Sequence, residues 1–244
     1  GMYINKSNPT ISNMLIQECD ATSGGAGISL TESDAVILNV IFIDNDSDMS
    51  GGGISIYSSS PILKNILFDD NYAHWYGGGI YLADSAPLIY NVSISNNESL
   101  YGAGMYVARC ILNMTDIIIT GNHSGVGGGI TVDGGGGSSQ IKNVLIYDNI
   151  AGSGGGITIK SLGVDDMVTL ENVTVADNQL TGFSGDCGAG ICIQDGSGHI
   201  NIINSILWGN VDPNSSDASS IILGNTSQNN TLSVTYSDIE GGED

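Results

Sequence analysis

Positively charged residues are the scarcest class in this sequence. Its 244 residues include five Lys and Arg against 26 Asp and Glu, for a formal net charge of -21 at pH 7. Because so few cations cannot neutralise rows of phosphates, we exclude nucleic acid and anionic membrane surfaces as partners. No apolar run reaches the roughly 20 residues of a membrane-spanning helix, so we expect no membrane insertion of this segment.

Metal-type spacings and helical patterns are missing as well. The four Cys and three His show no zinc-site spacing. Only Cys187 and Cys192 lie close together, and the sequence leaves open whether they are bonded. Apolar residues alternate instead of following a 3.6-residue period, and glycine is abundant, with 36 residues. These features predict an all-β chain rich in turns.

Two motifs recur in step along the chain. In the first, small residues end in a glycine that is followed by an apolar residue, any residue and another apolar residue. Its last glycines are Gly27, Gly53, Gly79, Gly104, Gly129, Gly156 and Gly190, spaced 25 to 27 residues apart until a final gap of 34. The second motif ends in asparagine, as in Asn39-Val-Ile-Phe-Ile-Asp-Asn45. A shared period of this length is typical of a solenoid.

The period also predicts the kind of solenoid. A coil of this length holds three short strands with their turns, and parallel coils stack at roughly 4.8 Å. The crossover preference of parallel strands makes the winding right-handed. We predict a right-handed parallel β-helix of about eight coils of roughly 25–27 residues. Its third strand is expected in segments that follow a proline, such as residues 61–65, since proline is tolerated at the start of a strand.

Alternation separates inward from outward positions. Columns of apolar residues follow the glycine motif (Ile54 and Ile56 in one coil) and fill the asparagine motif (Ile66 and Phe68). The asparagines that close the second motif are predicted to form an internal hydrogen-bonded ladder at a tight turn. They are Asn45, Asn71, Asn97, Asn122, Asn149, Asn178 and Asn210.

The motifs resemble those of a known class. Phe42-Ile-Asp-Asn45 and Phe68-Asp-Asp-Asn71 match an FxxN repeat, and the glycine blocks match GGGI. Both are similar to repeats of chlamydial polymorphic outer membrane proteins and autotransporter passengers, within the pectate-lyase-like superfamily. The resemblance covers residues 8–242. It implies an extracellular or outer-surface location and a class that includes adhesins, polysaccharide lyases, hydrolases and epimerases.

The ends of the chain suggest an excised piece. Residues 1–7 are interpreted as a tag scar and lead-in, and residues 8–244 as one β-helix domain from a larger secreted protein. The wider spacing after Asn178 suggests a longer loop at residues 181–187, which could cover or frame a site.

Outward aromatic residues gather in a few neighbouring coils. Aromatic faces pack against sugar rings while nearby polar groups bind hydroxyls, so this strip predicts glycan binding. Shielding of the strand surfaces is the alternative. The strip consists of Tyr57, Trp75, Tyr76, Tyr81, Tyr101, Tyr106 and Arg109.

Two carboxylates beside Arg109 allow an enzymatic hypothesis. In lyases of the resembling class an arginine or lysine commonly serves as base. Arg109 could take that role, with Asp84 and Asp133 as ligands of a divalent cation. Stacked charges of opposite sign, including Lys160, are alternatively surface ion pairs worth under about 1 kcal/mol each.

Calcium is the one ion that the sequence suggests, although no motif requires a cofactor. Asp44 and Asp70 occupy equivalent positions in successive coils and Asp69 is adjacent, so a bridging Ca²⁺ would relieve their repulsion. The alternative is that these turn aspartates cap backbone amides.

An outward apolar stripe offers a second surface, for a protein partner or for self-association. Its column is Ile41, Leu67, Ser93, Ile118, Leu145, Thr174 and Ile206, with Ile43, Tyr147 and Trp208 beside it. The leading hypothesis is therefore a cell-surface binding or adhesion module for a polysaccharide or a surface protein. A polysaccharide lyase or glycoside hydrolase is the alternative, and a structural stalk is the third.

Overall fold

The computed structural model describes residues 1–181, 187–213, 221–223 and 230–240. In these residues the chain winds as a right-handed parallel β-helix, which confirms the predicted fold. Three parallel sheets, which we name A, B and C, form its walls. None of the described residues belongs to a helix long and apolar enough to cross a membrane.

Sheet A contains the strands that follow the glycine motif. Each pairs with its counterpart one coil away, without a shift in register, as in Ile80↔Ile54 and Ile80↔Met105. Its nine strands in stacking order are β1 (Met2–Asn5), β4 (Ile28–Thr31), β7 (Ile54–Tyr57), β10 (Ile80–Ala83), β13 (Met105–Cys110), β16 (Ile130–Gly135), β19 (Ile157–Lys160), β22 (Ile191–Ile193) and β25 (Ile221–Leu223).

Sheet B contains the longer strands of the asparagine motif. The segments after Pro9, Pro61 and Pro87 each form a single strand with the asparagine motif that follows, bent at its middle. In the last described coils the strand is split in two. The members are β2 (Thr10–Gln17), β5 (Val36–Ile43), β8 (Ile62–Asp69), β11 (Leu88–Ser95), β14 (Asn113–Thr120), β17 (Ser138–Tyr147), β20 (Met167–Ala176), β23 (His199–Ile203), β24 (Ile206–Trp208), β26 (Thr231–Thr235) and β27 (Asp238–Ile239).

Sheet C corrects the placement of the third strand. This strand follows the ladder asparagine, in segments interpreted from the sequence as turns, and does not follow the proline. The seven strands are β3 (Asp20–Ala21), β6 (Asp46–Ser47), β9 (Tyr72–Tyr76), β12 (Glu98–Tyr101), β15 (His123–Val126), β18 (Ile150–Ser153) and β21 (Gln179–Leu180). Among the described residues, about seven coils therefore carry a strand in all three sheets, against the eight expected.

The N-terminal segment differs from its interpretation as a lead-in. Met2–Asn5 is strand β1, and it pairs in register with β4. The solenoid therefore extends to Met2, because this segment alternates in the same way as the later coils and stacks on the first of them.

The predicted inward columns form one continuous core. Ile54, Ile56 and Phe68 are fully buried. The rings of Phe42 and Phe68 stack at a centroid distance of 4.6 Å, as equivalent positions of successive coils. Burying one large apolar side chain stabilises the fold by about 1.5–3 kcal/mol. The inward columns bury such side chains in each successive coil.

The glycine motif is explained by two different constraints. Gly51 adopts a φ of 67°, in the left-handed region that other residues avoid. Gly53 has no room for a side chain, since a Cβ there would lie 2.6 Å from the carbonyl oxygen of Gly79 and 2.6 Å from the ring of Phe68. The first glycine makes the turn, and the last lets adjacent coils approach closely.

The predicted internal ladder of asparagines, which we name the inner ladder, is present, and all seven side chains are buried. The Nδ2 atom of Asn97 donates to Oδ1 of Asn122 (3.0 Å) and to the carbonyl oxygens of Ser95 (2.9 Å) and Phe68 (3.2 Å). Its Oδ1 accepts from the backbone N and the Nδ2 of Asn71, both at 3.0 Å. Every polar atom of this buried side chain is thus paired.

A second ladder, which we name the outer ladder, lies at the bend of sheet B. Asn65 Nδ2 donates to Asn39 Oδ1 (2.9 Å) and Asn91 Nδ2 to Asn65 Oδ1 (2.8 Å). These side chains are exposed, and their backbones are left-handed, as asparagine tolerates. The members are Asn13, Asn39, Asn65, Asn91, Asp116, Asn143 and Asn172. This ladder was not among the features predicted from the sequence.

Candidate functional site

Four tyrosines come together on the outside of sheet A. Tyr81 (β10) and Tyr106 (β13) are paired outward positions, with ring centroids 6.0 Å apart. Tyr76 and Tyr101 end strands of sheet C just before the glycine turn, which brings them to the same edge. The Tyr76 ring lies 5.3 Å from that of Tyr101, 4.7 Å from that of Tyr106 and 6.1 Å from that of Tyr81.

Two alanines create the space for these rings. Ala83 and Ala108 hold an outward column that carries Tyr57 in the preceding coil and Asp133 in the following one. With Tyr106 they form a small apolar cluster outside the β-helix, against which the other three tyrosines pack. These alanines were not among the site residues predicted from the sequence. Small residues in an otherwise bulky outward column are the signal that could have identified them.

The charged residues beside the tyrosines form two pairs. Arg109 donates from Nε and Nη2 to the two carboxylate oxygens of Asp84, each at 2.8 Å. Asp133 accepts a hydrogen bond from the Tyr106 hydroxyl and lies 3.2 Å from Nζ of Lys160. That ammonium also sits 5.6 Å from the centroid of the Tyr101 ring, within cation–π range. The alignment of these charges in the sequence predicted both ion pairs.

The protonation states follow from these contacts. Burial acts to raise the pKa of Asp133, but the Tyr106 hydrogen bond and the Lys160 charge together hold that pKa below its ordinary value. Burial, followed by the Asp133 hydrogen bond, raises the pKa of Tyr106. Hydrogen bonds from Arg109 lower the pKa of Asp84, and the same contacts raise the pKa of Arg109. At neutral pH both carboxylates are charged, while Tyr106 and Arg109 keep their protons.

A groove with a volume of about 460 Å³ runs between the tyrosines and these ion pairs. We name it the tyrosine groove. It is lined by Tyr76, Tyr81, Tyr106, Ala108, Arg109, Asp133, Gly134 and Ser161. Partly exposed rings on one side and hydrogen-bonding groups on the other suit a ligand that has both an apolar face and hydroxyls.

The predicted aromatic strip is only partly assembled. Tyr76, Tyr81, Tyr106 and Arg109 line the tyrosine groove, and Tyr101 packs against Tyr76. Tyr57 is 48 % exposed one coil away. Trp75 is absent from the groove lining, and its ring meets that of His74 at 4.9 Å.

Tyr106 was expected to offer its ring to a sugar, yet it is only 5 % exposed. Tyr76 and Tyr81 cover it, because the alanine column lets the rings sink onto the sheet. Tyr106 therefore supports the floor of the groove and holds Asp133, and Tyr76 and Tyr81 are the groove rings that a ligand can reach.

The geometry gives the lyase hypothesis no support. A catalytic base must be able to lose its proton, but its pairing with Asp84 makes Arg109 harder to deprotonate. Both oxygens of Asp84 are engaged by Arg109. Asp133 Oδ2 is engaged by the Tyr106 hydroxyl and by Lys160. Both carboxylates are thus already paired with cations of this chain.

The calcium hypothesis likewise gains no support. Asp69 Oδ1 accepts hydrogen bonds from Ser95 Oγ (2.7 Å) and Asn96 Nδ2 (2.8 Å), both in the following coil. Within the described ranges no three His, Cys, Asp or Glu side chains are grouped so that they could hold a metal ion. Asp44 and Asp70 occupy equivalent left-handed turn positions, each with a φ of 54°.

The predicted apolar stripe forms one stacked column on sheet B. Ile41 pairs with Leu67, and the column continues without a register shift to Ile206. Ile118 and Leu145 are exposed within it, and Trp208 is exposed in the neighbouring column.

The cysteines have separate environments. Cys187 and Cys192 are joined in a disulfide, which answers the question that the sequence left open. Cys110 accepts a hydrogen bond from the backbone N of Ser85 (3.3 Å), and burial raises the pKa of its thiol to about 11. The longer loop expected at residues 181–187 lies, over residues 182–186, outside the described residues.

Comparison with known proteins agrees with this architecture. A family model described as "Right handed beta helix region" matches residues 1–163 and again residues 71–236. No curated protein and no solved structure matches the chain.

Proposed function

The chain belongs to the right-handed β-helix family, and we propose that it is a binding module that holds a glycan in the tyrosine groove. The family fold supports many activities, so the proposal must depend on the site. We further propose a position outside the cell or on its surface, supported by the acidic composition and by the resemblance of the GGGI and FxxN repeats to autotransporter passengers. The same resemblance supports a relationship to the pectate-lyase-like superfamily.

One observation carries the proposal, namely the apolar cluster on the outside of sheet A. Its rings bury each other only in part, and Tyr76 and Tyr81 remain accessible beside the two ion pairs. If the tyrosines served only to cover the outer face of sheet A, no groove would be needed between them and the ion pairs. An accessible ring next to fixed hydrogen-bonding groups is the arrangement that binds the apolar face and the hydroxyls of a sugar.

The test is glycan-array binding by the intact chain, compared with Tyr81→Ala. Removing the ring that flanks the groove is expected to weaken binding at least about tenfold, the loss of one good aromatic contact. The matched control is Tyr90→Ala. Tyr90 is also a half-exposed tyrosine beside a cation, with Nζ of Lys64 5.2 Å from its ring centroid, but it lies on sheet B. The Tyr90→Ala variant is expected to bind the glycan with the same affinity as the unmodified chain.

Two results would contradict the proposal. One is the absence of binding across neutral and acidic glycans, and the other is an equal loss in both variants. Product analysis of any bound glycan checks the enzymatic alternative, since new chain ends would indicate turnover.

A second candidate function, docking of a protein, is favoured by the apolar stripe on sheet B. Its exposed side chains, among them Ile41, Ile118 and Ile206, follow one column of the solenoid. Sedimentation of the purified chain over a range of concentrations distinguishes self-association from docking of a different protein.

A further inference from the structure

The charged groups of the tyrosine groove neutralise each other. Arg109 and Asp84 form a two-point pair, and Lys160 lies against Asp133. Two cations and two carboxylates thus leave the groove without net charge. Arg109 is held to Asp84 by geometry, because the two N–H groups of its guanidinium match the two oxygens of the carboxylate.

The rest of the chain disfavours an anionic ligand further. Its net charge of -21 produces a negative potential around the molecule. A uronate or sulfate entering the groove would meet that field and would have to compete with Asp84 for Arg109. Nothing in the groove lining supplies an unpaired positive charge to offset these costs.

Donors for a neutral ligand remain available. A guanidinium has five N–H groups, and the pair with Asp84 uses one on Nε and one on Nη2, so three remain. The Lys160 ammonium has three N–H groups and one carboxylate partner within salt-bridge distance. Arg109 lines the groove, so its remaining donors can bind sugar hydroxyls while the charges stay paired, whereas Lys160 lies outside the lining and neutralises Asp133.

We propose that the tyrosine groove selects uncharged glycans and rejects uronate-containing or sulfated ones, with Asp84 and Asp133 as the residues that set this specificity. The inference depends on the proposed function, because it concerns the ligand class of the same groove. It disfavours a polyuronate ligand, because a row of carboxylates needs unpaired cations in the site that binds it.

The experiment measures binding of matched neutral and uronate oligosaccharides to the intact chain and to Asp84→Asn. Asparagine tolerates the left-handed backbone of residue 84, where φ is 50°, so the variant keeps its fold while releasing Arg109. The unmodified chain is expected to bind the neutral sugar at least about tenfold more tightly. Its affinity should change less than about twofold between low and physiological salt, because no net charge is screened. The affinity of the Asp84→Asn variant for the uronate oligosaccharide is expected to be about tenfold higher than that of the unmodified chain.

A closely matched control lies in the same column. Glu32 holds the equivalent left-handed position two coils away and pairs with Lys6 at 3.7 Å, outside the groove. Glu32→Gln removes the same charge from the chain and should leave both affinities unchanged. A second variant, Asp133→Asn, releases Lys160 and should also increase uronate binding.

The outcomes separate the two proposals. If the unmodified chain prefers the uronate, the inference is wrong and the glycan-binding function stands. If neither carboxylate variant gains uronate binding, or if Glu32→Gln gains as much as Asp84→Asn, pairing within the groove does not set the specificity. If no glycan of either kind binds, the proposed function fails and the inference with it.

Discussion

The inner and outer ladders repeat asparagine at the same period, the inner one in the turn that follows each strand of sheet B and the outer one at the bend within those strands. In the inner ladder Asn97 is fully buried and all its polar atoms are bonded to protein. In the outer ladder Asn91 is exposed, and its side chain donates one hydrogen bond, to Asn65. The hydrogen bonds of the two ladders have similar lengths.

We infer from this difference that burial, and not the hydrogen bond by itself, sets how much each ladder contributes to stability. A buried polar atom that loses its partner cannot turn to water, so removal leaves a penalty of about 1–3 kcal/mol per group. An exposed amide exchanges its partner for water at little cost. The inner ladder is asparagine from Asn45 to Asn210, with Cys19 at the equivalent position of the first coil, whereas Asp116 interrupts the outer ladder in its middle.

The largest expected effect comes from breaking the inner ladder. Asn97→Ala removes the acceptor of the buried Asn71 backbone N–H, and it also removes the side-chain donor to Asn122 Oδ1 and to the Phe68 carbonyl. We expect the free energy of unfolding to fall by about 3 kcal/mol or more. Guanidinium unfolding followed by circular dichroism measures it. A loss below about 1 kcal/mol would show that the buried ladder is not a main source of stability.

An intermediate effect is expected from an outer residue that is nevertheless buried. Tyr106→Phe removes the hydroxyl that donates to the charged Asp133, at a cost of about 2 kcal/mol near neutral pH. The pKa of Asp133 is lowered in the folded state, so this contribution is present above the ordinary pKa of aspartate, about 4, and is lost as pH falls through the folded value.

The difference in unfolding free energy between Tyr106→Phe and the unmodified chain should therefore shrink below about pH 4. Unfolding curves at a series of pH values provide the measurement. Tyr90→Phe removes the same hydroxyl from a half-exposed ring on sheet B and should cost less than about 0.5 kcal/mol at every pH. A pH-independent difference for Tyr106→Phe would contradict the charged hydrogen bond.

The smallest effects belong to the outer ladder, where two substitutions at one position separate backbone from side chain. Asn91→Gly keeps the left-handed conformation, with φ 54°, and loses only the exposed hydrogen bond. It should change the free energy of unfolding by less than about 0.5 kcal/mol. Asn91→Ala should cost about 1 kcal/mol more, because alanine disfavours that backbone. Equal losses in both variants would indicate that the exposed hydrogen bond matters more than the backbone.

Much of the fold follows directly from the sequence, for a physical reason. Each coil repeats the environment of the one before it, so one column of isoleucines or asparagines reports the same inward position many times. This repetition identified the core, the inner ladder and the stacking order. It also aligned Asp84 with Arg109 and Asp133 with Lys160.

The site was less accessible, because it depends on departures from the repeat. The sequence contains Ala83 and Ala108, but only the tertiary structure shows that Tyr106 sinks over them and ceases to be a contact surface. It also decided that the third strand follows the ladder asparagine, since the bend of sheet B at residues such as Asn65 merges two predicted strands. Periodicity fixes what every coil shares, whereas the groove arises where side chains from different coils and sheets meet.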